Sequence, residues 1–165
     1  MVEKNDMELQ KRKQNRLSGY DYSRPGCYFV TICTKGRKEC LGTVVGADVL
    51  IGPHVELTVS GTIVQEVLSA MPMVDKFVVM PNHIHVIFRL SEDSGAMRTS
   101  PPTQSVPMLV RYFKKEVARR CGETIWQRSY HDHVIRNEVD YLRIWQYIDT
   151  NPALWDEDCY YTREN

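Results

Sequence analysis

The segment Met80-Pro81-Asn82-His83-Ile84-His85-Val86-Ile87-Phe88-Arg89-Leu90 constrains the fold of this chain more than any other. Read as a strand, it puts Ile84, Val86, Phe88 and Leu90 on one face and His83, His85, Ile87 and Arg89 on the other. The first face is wholly apolar and must be covered, so the strand belongs to a sheet packed against helices. Phe77-Val78-Val79-Met80 is a second strand, and Pro81-Asn82 turns the chain between the two as a hairpin. The imidazoles then project side by side, about 7 Å apart along the strand. That is near enough to converge on one divalent metal. Strand histidines that only make hydrogen bonds are the plainer alternative. Two ligands leave a site open, which suits catalysis better than a structural metal with four protein ligands, and a third ligand must come from elsewhere.

The remaining elements follow from periodicity. Cys27 to Cys33 is a nearly continuous β-rich run after the turn-forming Arg24-Pro25-Gly26. Short β-branched runs broken by glycine and proline between Leu41 and Val59 predict one or two small hairpins. Ser60 reads as the N-cap of a helix from about Gly61 to Ala70. Residues 91–104 form a loop, and a helix follows Ser105 with Met108, Leu109, Tyr112, Phe113 and Val117 as its apolar stripe, ending at Cys121-Gly122. Ile125-Trp126-Gln127 and His133-Val134-Ile135 are strand-like and flank a polar segment from Arg128 to Asp132. A last helix is capped by Asn137 and stops at Asn151 before Pro152. Its stripe Tyr141, Ile144, Trp145 and Ile148 is apolar.

This order predicts an α+β fold: a ferredoxin-like sandwich, with a largely antiparallel sheet, helices on one face and the active site on the other. The histidines would lie on the open face, where an additional helix can close over them. At 165 residues one domain is expected, spanning 19–155, with a flexible basic arm at 1–18 and an acidic tail at 156–165. Cysteines number five with no Cys-x-x-Cys pair, which argues against a disulfide framework. No apolar run reaches the ~18 residues of a membrane span. A cytoplasmic protein without membrane partners is expected.

Formal charge is zero overall, yet basic residues cluster. One block runs through Lys11, Arg12, Lys13 and Arg16 to Lys38, another through Arg111, Lys114, Lys115, Arg119, Arg120, Arg128 and Arg136. Each is a solvated face or a phosphate-binding patch.

Tyr147 and Asn151 stand four apart on the last helix and therefore face the same way. If their stripe meets the histidines, one site holds two imidazoles, an amide oxygen and a phenol. Those are the parts of a metal-assisted phosphoryl transfer with a tyrosine nucleophile. Tyr112, Tyr130 and Tyr141 compete for that role, but Tyr112 and Tyr141 fall on apolar stripes and Tyr130 has no partner at ligand spacing. His131-Asp132-His133 repeats the His-x-His spacing and reads better as a positioning or phosphate-contacting loop than as a ligand pair.

Val79-Met80-Pro81-Asn82-His83-Ile84-His85-Val86-Ile87 resembles the His-hydrophobic-His motif of the HUH single-tyrosine transposases. Trp126 to Asn137, then Tyr147-Ile148-Asp149-Thr150-Asn151-Pro152, resemble the branch called REP-associated tyrosine transposases, as do Arg16 to Ser23 and Gly26 to Thr31. The likeness spans roughly residues 16–155. It implies that His83, His85 and Asn151 hold Mg2+ or Mn2+. It further implies that Tyr147 becomes joined to the 5′ phosphate of cut single-stranded DNA beside hairpins such as REP-like palindromes. Asn151 stands where some relatives carry Gln. Under the same likeness the basic N-terminal arm contacts a guide sequence or hairpin, and Tyr20, Tyr22 and Tyr28 can stack on unpaired bases; the expected phosphate contacts are Lys11, Arg12, Lys13, Arg16, Arg111, Lys114, Lys115, Arg119, Arg128 and Arg136. A homodimer is left open. A non-catalytic, domesticated binder of hairpin DNA and a metal hydrolase of small phosphoesters are the alternatives.

Overall fold

The computed structural model describes residues 19–46, 52–91 and 105–160. The expected arm with Lys11, Arg12, Lys13 and Arg16, the segment 92–104 and the last residues of the acidic tail lie outside them. Strands β1 (Gly26–Cys33), β4 (Val74–Met80), β5 (His83–Leu90) and β6 (His131–Ile135) form an antiparallel sheet in the order β4-β5-β1-β6. Helix α1 (Val59–Ser69) lies in the chain between β1 and β4, and α2 (Val106–Cys121) between β5 and β6. That is the ferredoxin-like βαββαβ order. A separate hairpin of β2 (Gly42–Val45) and β3 (His54–Leu57) is inserted before α1, and α3 (Glu138–Thr150) follows β6.

The alternation of β5 places its residues as the sequence predicts. Ile84, Val86, Phe88 and Leu90 join Tyr28, Val30 and Ile32 of β1 and the buried sides of α1 and α2 in the main core. Full burial of each such side chain contributes roughly 1.5–3 kcal/mol, which fixes the strand's register. On the opposite face Ile87 packs with Ile144 and Ile148, so α3 lies over the histidine side of the sheet.

Several boundaries differ from the sequence reading. Thr58, not Ser60, caps α1, accepting from the Gly61 amide at 3.1 Å while its hydroxyl donates to the Cys40 carbonyl at 2.7 Å. Strand β6 begins at His131, inside the segment read as polar and irregular, because Thr31 to Cys27 of β1 offers it a complete partner ladder. Trp126 makes only an isolated bridge to Thr34. Tyr112, expected on the apolar stripe of α2, is 57% exposed, since that helix buries Val106, Leu109, Val110, Phe113 and Val117 instead.

Candidate metal and tyrosine site

The hairpin turn Pro81-Asn82 holds the histidine strand rigidly. Thr34 donates its amide to the Asn82 carbonyl at 2.9 Å, and Leu41 donates to the Pro81 carbonyl at 2.9 Å. Asn82 is fully buried, and its amide NH2 donates to the Tyr160 carbonyl at 2.8 Å. The Asn82 oxygen therefore faces His83 and accepts from its Nδ1 at 2.9 Å, which leaves the Nε2 lone pair free. His85 Nδ1 shares a hydrogen bond of 2.8 Å with the Thr31 hydroxyl. The two Nε2 atoms face each other at 3.0 Å. Each imidazole is thus oriented through its other nitrogen, as metal-binding histidines usually are.

Helix α3 delivers the tyrosine. Asn137 caps it by accepting from the Asp140 amide at 2.8 Å, and the apolar stripe seats it on Ile87, Phe29 and Val78. Tyr147 then lies with its hydroxyl 3.2 Å from His85 Nε2, its ring edge-on to Phe29, and it remains 38% exposed. Tyr141 is bound elsewhere: its hydroxyl donates to Asp75 at 2.6 Å. Tyr130 is buried in the main core.

Asn151 is buried at the same place, and its NH2 donates to Asp158 at 3.0 Å while its Oδ1 has no hydrogen-bond partner. Asp158 was read only as part of an acidic tail. The chain turns back after Pro152 in a 3-10 helix (Asn151–Glu157) anchored by buried Trp155, and this returns the Asp158 carboxylate to the histidines. His83, His85 and Asp158 offer ligand atoms all within 4.8 Å of one another. Nothing local in the sequence marks Asp158; only the buried Trp155 hints that the segment packs. The ring of Tyr160 covers the pair, 4.6 Å from His83 between centroids.

Burial lowers His83 to about 4, partly opposed by Asp158, and takes His85 well below the ordinary histidine value. Both imidazoles are therefore neutral at pH 7, the form that ligates metal. Asp158 stands 3.9 Å from a neutral His83, so this contact is not an ion pair. Burial first, then Asp158 and Cys159, raises the Tyr147 phenol well above its usual value. Two facing nitrogen atoms, a carboxylate and an orphaned amide oxygen fit a divalent cation, which would also favour the phenolate.

The expected DNA-contacting residues divide. Arg111, Lys115 and Arg119 are exposed on α2, on the side of the sheet away from the histidines, and Arg119 pairs with Glu116 at 2.6 Å. Arg128 and Arg136 are exposed before and after β6. Lys114 is a correction: its ammonium donates to the carbonyls of Gln127, Arg128 and Ser129 at 2.7, 3.3 and 3.2 Å, and burial lowers it to about 8. It fastens a loop rather than facing solvent. Tyr22 and Tyr28 are likewise core residues, with Tyr20 packed on them 5.0 Å from Tyr22 between ring centroids, so Tyr22 and Tyr28 offer no face to a base.

No family model matches the chain. An uncharacterized protein of Haemophilus influenzae is 34% identical to it, over 98% of this chain and 99% of the relative. A REP-associated tyrosine transposase of Escherichia coli is 32% identical over 81 residues, 48% of this chain and 44% of the relative. A solved REP-associated tyrosine transposase bound to a REP hairpin shares the fold, with a TM-score of 0.55 and 24% identity over 83% of this chain and 73% of that one. The chain is thus similar to REP-associated tyrosine transposases over about half of its length and shares their fold. It spans less than half the length of the Escherichia coli transposase that it matches. Among the described residues, no helix is long and apolar enough to cross a membrane.

Proposed function

We propose that this protein cuts and rejoins single-stranded DNA beside hairpins through a covalent 5′-phosphotyrosine at Tyr147, with a divalent metal held by His83, His85 and Asp158 and the Asn151 amide oxygen beside them. One observation carries this reading: the Tyr147 hydroxyl lies 3.2 Å from the same His85 Nε2 that faces His83. A phenol and a pair of imidazoles meet at one point. The bound metal, Mg2+ or Mn2+, would act as a Lewis acid on the scissile phosphate. Tyr147 Oη would form a bond to phosphorus as the bond from phosphorus to O3′ breaks; the phenol proton leaves to solvent and O3′ takes up a proton. The phosphotyrosine conserves the bond energy, so the released strand end can be rejoined without a nucleotide cofactor.

Residues of the chain supply the positioning. Thr31 and Asn82 aim the imidazoles, and Phe29 holds the Tyr147 ring. Arg128 and Arg136 provide positive charge near β6, and Arg111, Lys115 and Arg119 on the far side of the sheet are available to a duplex stem. Incubation with REP hairpins carrying single-stranded flanks, in Mn2+, should give a protein–DNA adduct stable on a denaturing gel and absent with chelator. Retarded migration of the hairpin in a native gel with no adduct in either metal would instead establish the non-catalytic hairpin binder. That second reading is favoured by the cover that the Tyr160 ring places over the histidines.

A further inference from the structure

The second His-x-His lies on the same sheet face as the first. Thr31 of β1 pairs with His85 of β5 on one side and with His131 of β6 on the other, and Phe29 pairs with Ile87 and with His133. Directly paired residues share a face. Since Thr31 is hydrogen-bonded to His85 and Phe29 is stacked on it at 5.2 Å, His131 and His133 project to the side of the metal ligands. His131 is two strand spacings from His85, roughly 10 Å, too far to share one ion. Both are exposed on β6, whose outer edge pairs with nothing among the described residues.

Helix α3 packs over β5 and β4, and its first turn reaches back to β6. His133 Nε2 donates to Asp140 at 2.7 Å and Arg143 donates to the other Asp140 oxygen at 2.7 Å, so the carboxylate is engaged by two donors and ties β6 to the helix. One turn beyond Arg143 stands Tyr147. Going along α3 from Asp140 to Tyr147 is going along β6 from His133 to His131, with Phe29 between the two elements. The result is an open strip bordered by an imidazole and a guanidinium that ends at the nucleophile.

We propose that this strip, with His131 and Arg143 as its phosphate contacts and the His133–Asp140 pair as the tie that spaces them, seats the nucleotide next to the scissile phosphate. The inference rests on the DNA-cutting reading. An imidazole and a planar guanidinium suit a phosphodiester, and Arg143, 73% exposed, can turn to a phosphate without leaving a buried charge.

The test uses the full chain and a set of flanked REP hairpins, each with one methylphosphonate in place of one flanking phosphate. For the wild type, neutralising one phosphate beside the cut should weaken binding about tenfold, the scale of a lost hydrogen bond to a charged group. His131→Gln and Arg143→Gln should each weaken binding of the unmodified hairpin to a similar degree and bind the methylphosphonate hairpin no worse than the unmodified one. Tyr147 adducts should still form at high DNA concentration. If both variants remain as sensitive to that methylphosphonate as the wild type, the strip is not the subsite, whatever becomes of cleavage. If the wild type binds none of the hairpins, the DNA-cutting reading fails and the subsite falls with it.

Discussion

At the scale of single residues, the Thr31 hydroxyl has more influence than its size suggests. It can donate to or accept from His85 Nδ1, so it suits His85 with its Nε2 proton directed at His83 and also with that proton replaced by a metal ion. Thr31→Val keeps the shape and removes that adaptability. Mn2+ affinity measured by calorimetry should fall roughly 10–100-fold, the usual effect of losing an outer-shell partner; an unchanged affinity would show that His85 is oriented by packing alone. The histidines also set a pH dependence. Their folded values lie below the ordinary value of about 6.5, so between the folded and unfolded values the unfolded chain binds more protons and stability rises with pH. The metal-free protein should hold its full stability above about pH 7. Its denaturation midpoint should fall as pH drops from about 6.5 towards 4. A His83→Gln, His85→Gln double variant should flatten that interval, and an equally steep profile would place the titrating groups elsewhere.

At the scale of elements, period and punctuation were informative and position along a neighbouring strand was not. The apolar row of β5, the Asn137 cap and the Pro152 stop are local signals, and the structure agrees with all of them. The start of β6 at His131 and the α1 cap at Thr58 depend on partners distant in sequence, β1 and the Cys40 carbonyl. The same holds for the tyrosines. Nothing adjacent to Tyr28 reveals that its hydroxyl donates to the Arg24 carbonyl at 2.7 Å from inside the core. In α1, Gly61 has a similar tertiary cause: an added Cβ would stand 1.9 Å from the Leu41 carbonyl oxygen, so the helix can lie against the strand hairpin only without a side chain there. Gly61→Ala should destabilise the protein by about 1–3 kcal/mol, as overpacking does. A thermal midpoint at or above that of the wild type would contradict this packing.

At the scale of the whole molecule, the sheet separates two tasks. One face and its two helices make the core; the other carries His83 and His85, the α3 stripe with Tyr147 and Asn151, and the returning segment with Asp158. Alternation put the histidines on that face, and helical spacing put Tyr147 and Asn151 on one stripe; only the likeness to the transposases brought that stripe to the histidines. Asp158 escaped because a reversal of chain direction after Pro152 leaves no period to read. The central claim is that Tyr147 is the nucleophile, and it is tested most directly by comparing Tyr147→Phe and Tyr141→Phe with the wild type on a labelled hairpin in Mn2+. The wild type and Tyr141→Phe should form a covalent 5′ adduct, whereas Tyr147→Phe should bind metal and DNA and form none. An adduct from Tyr147→Phe at the wild-type rate would contradict the account.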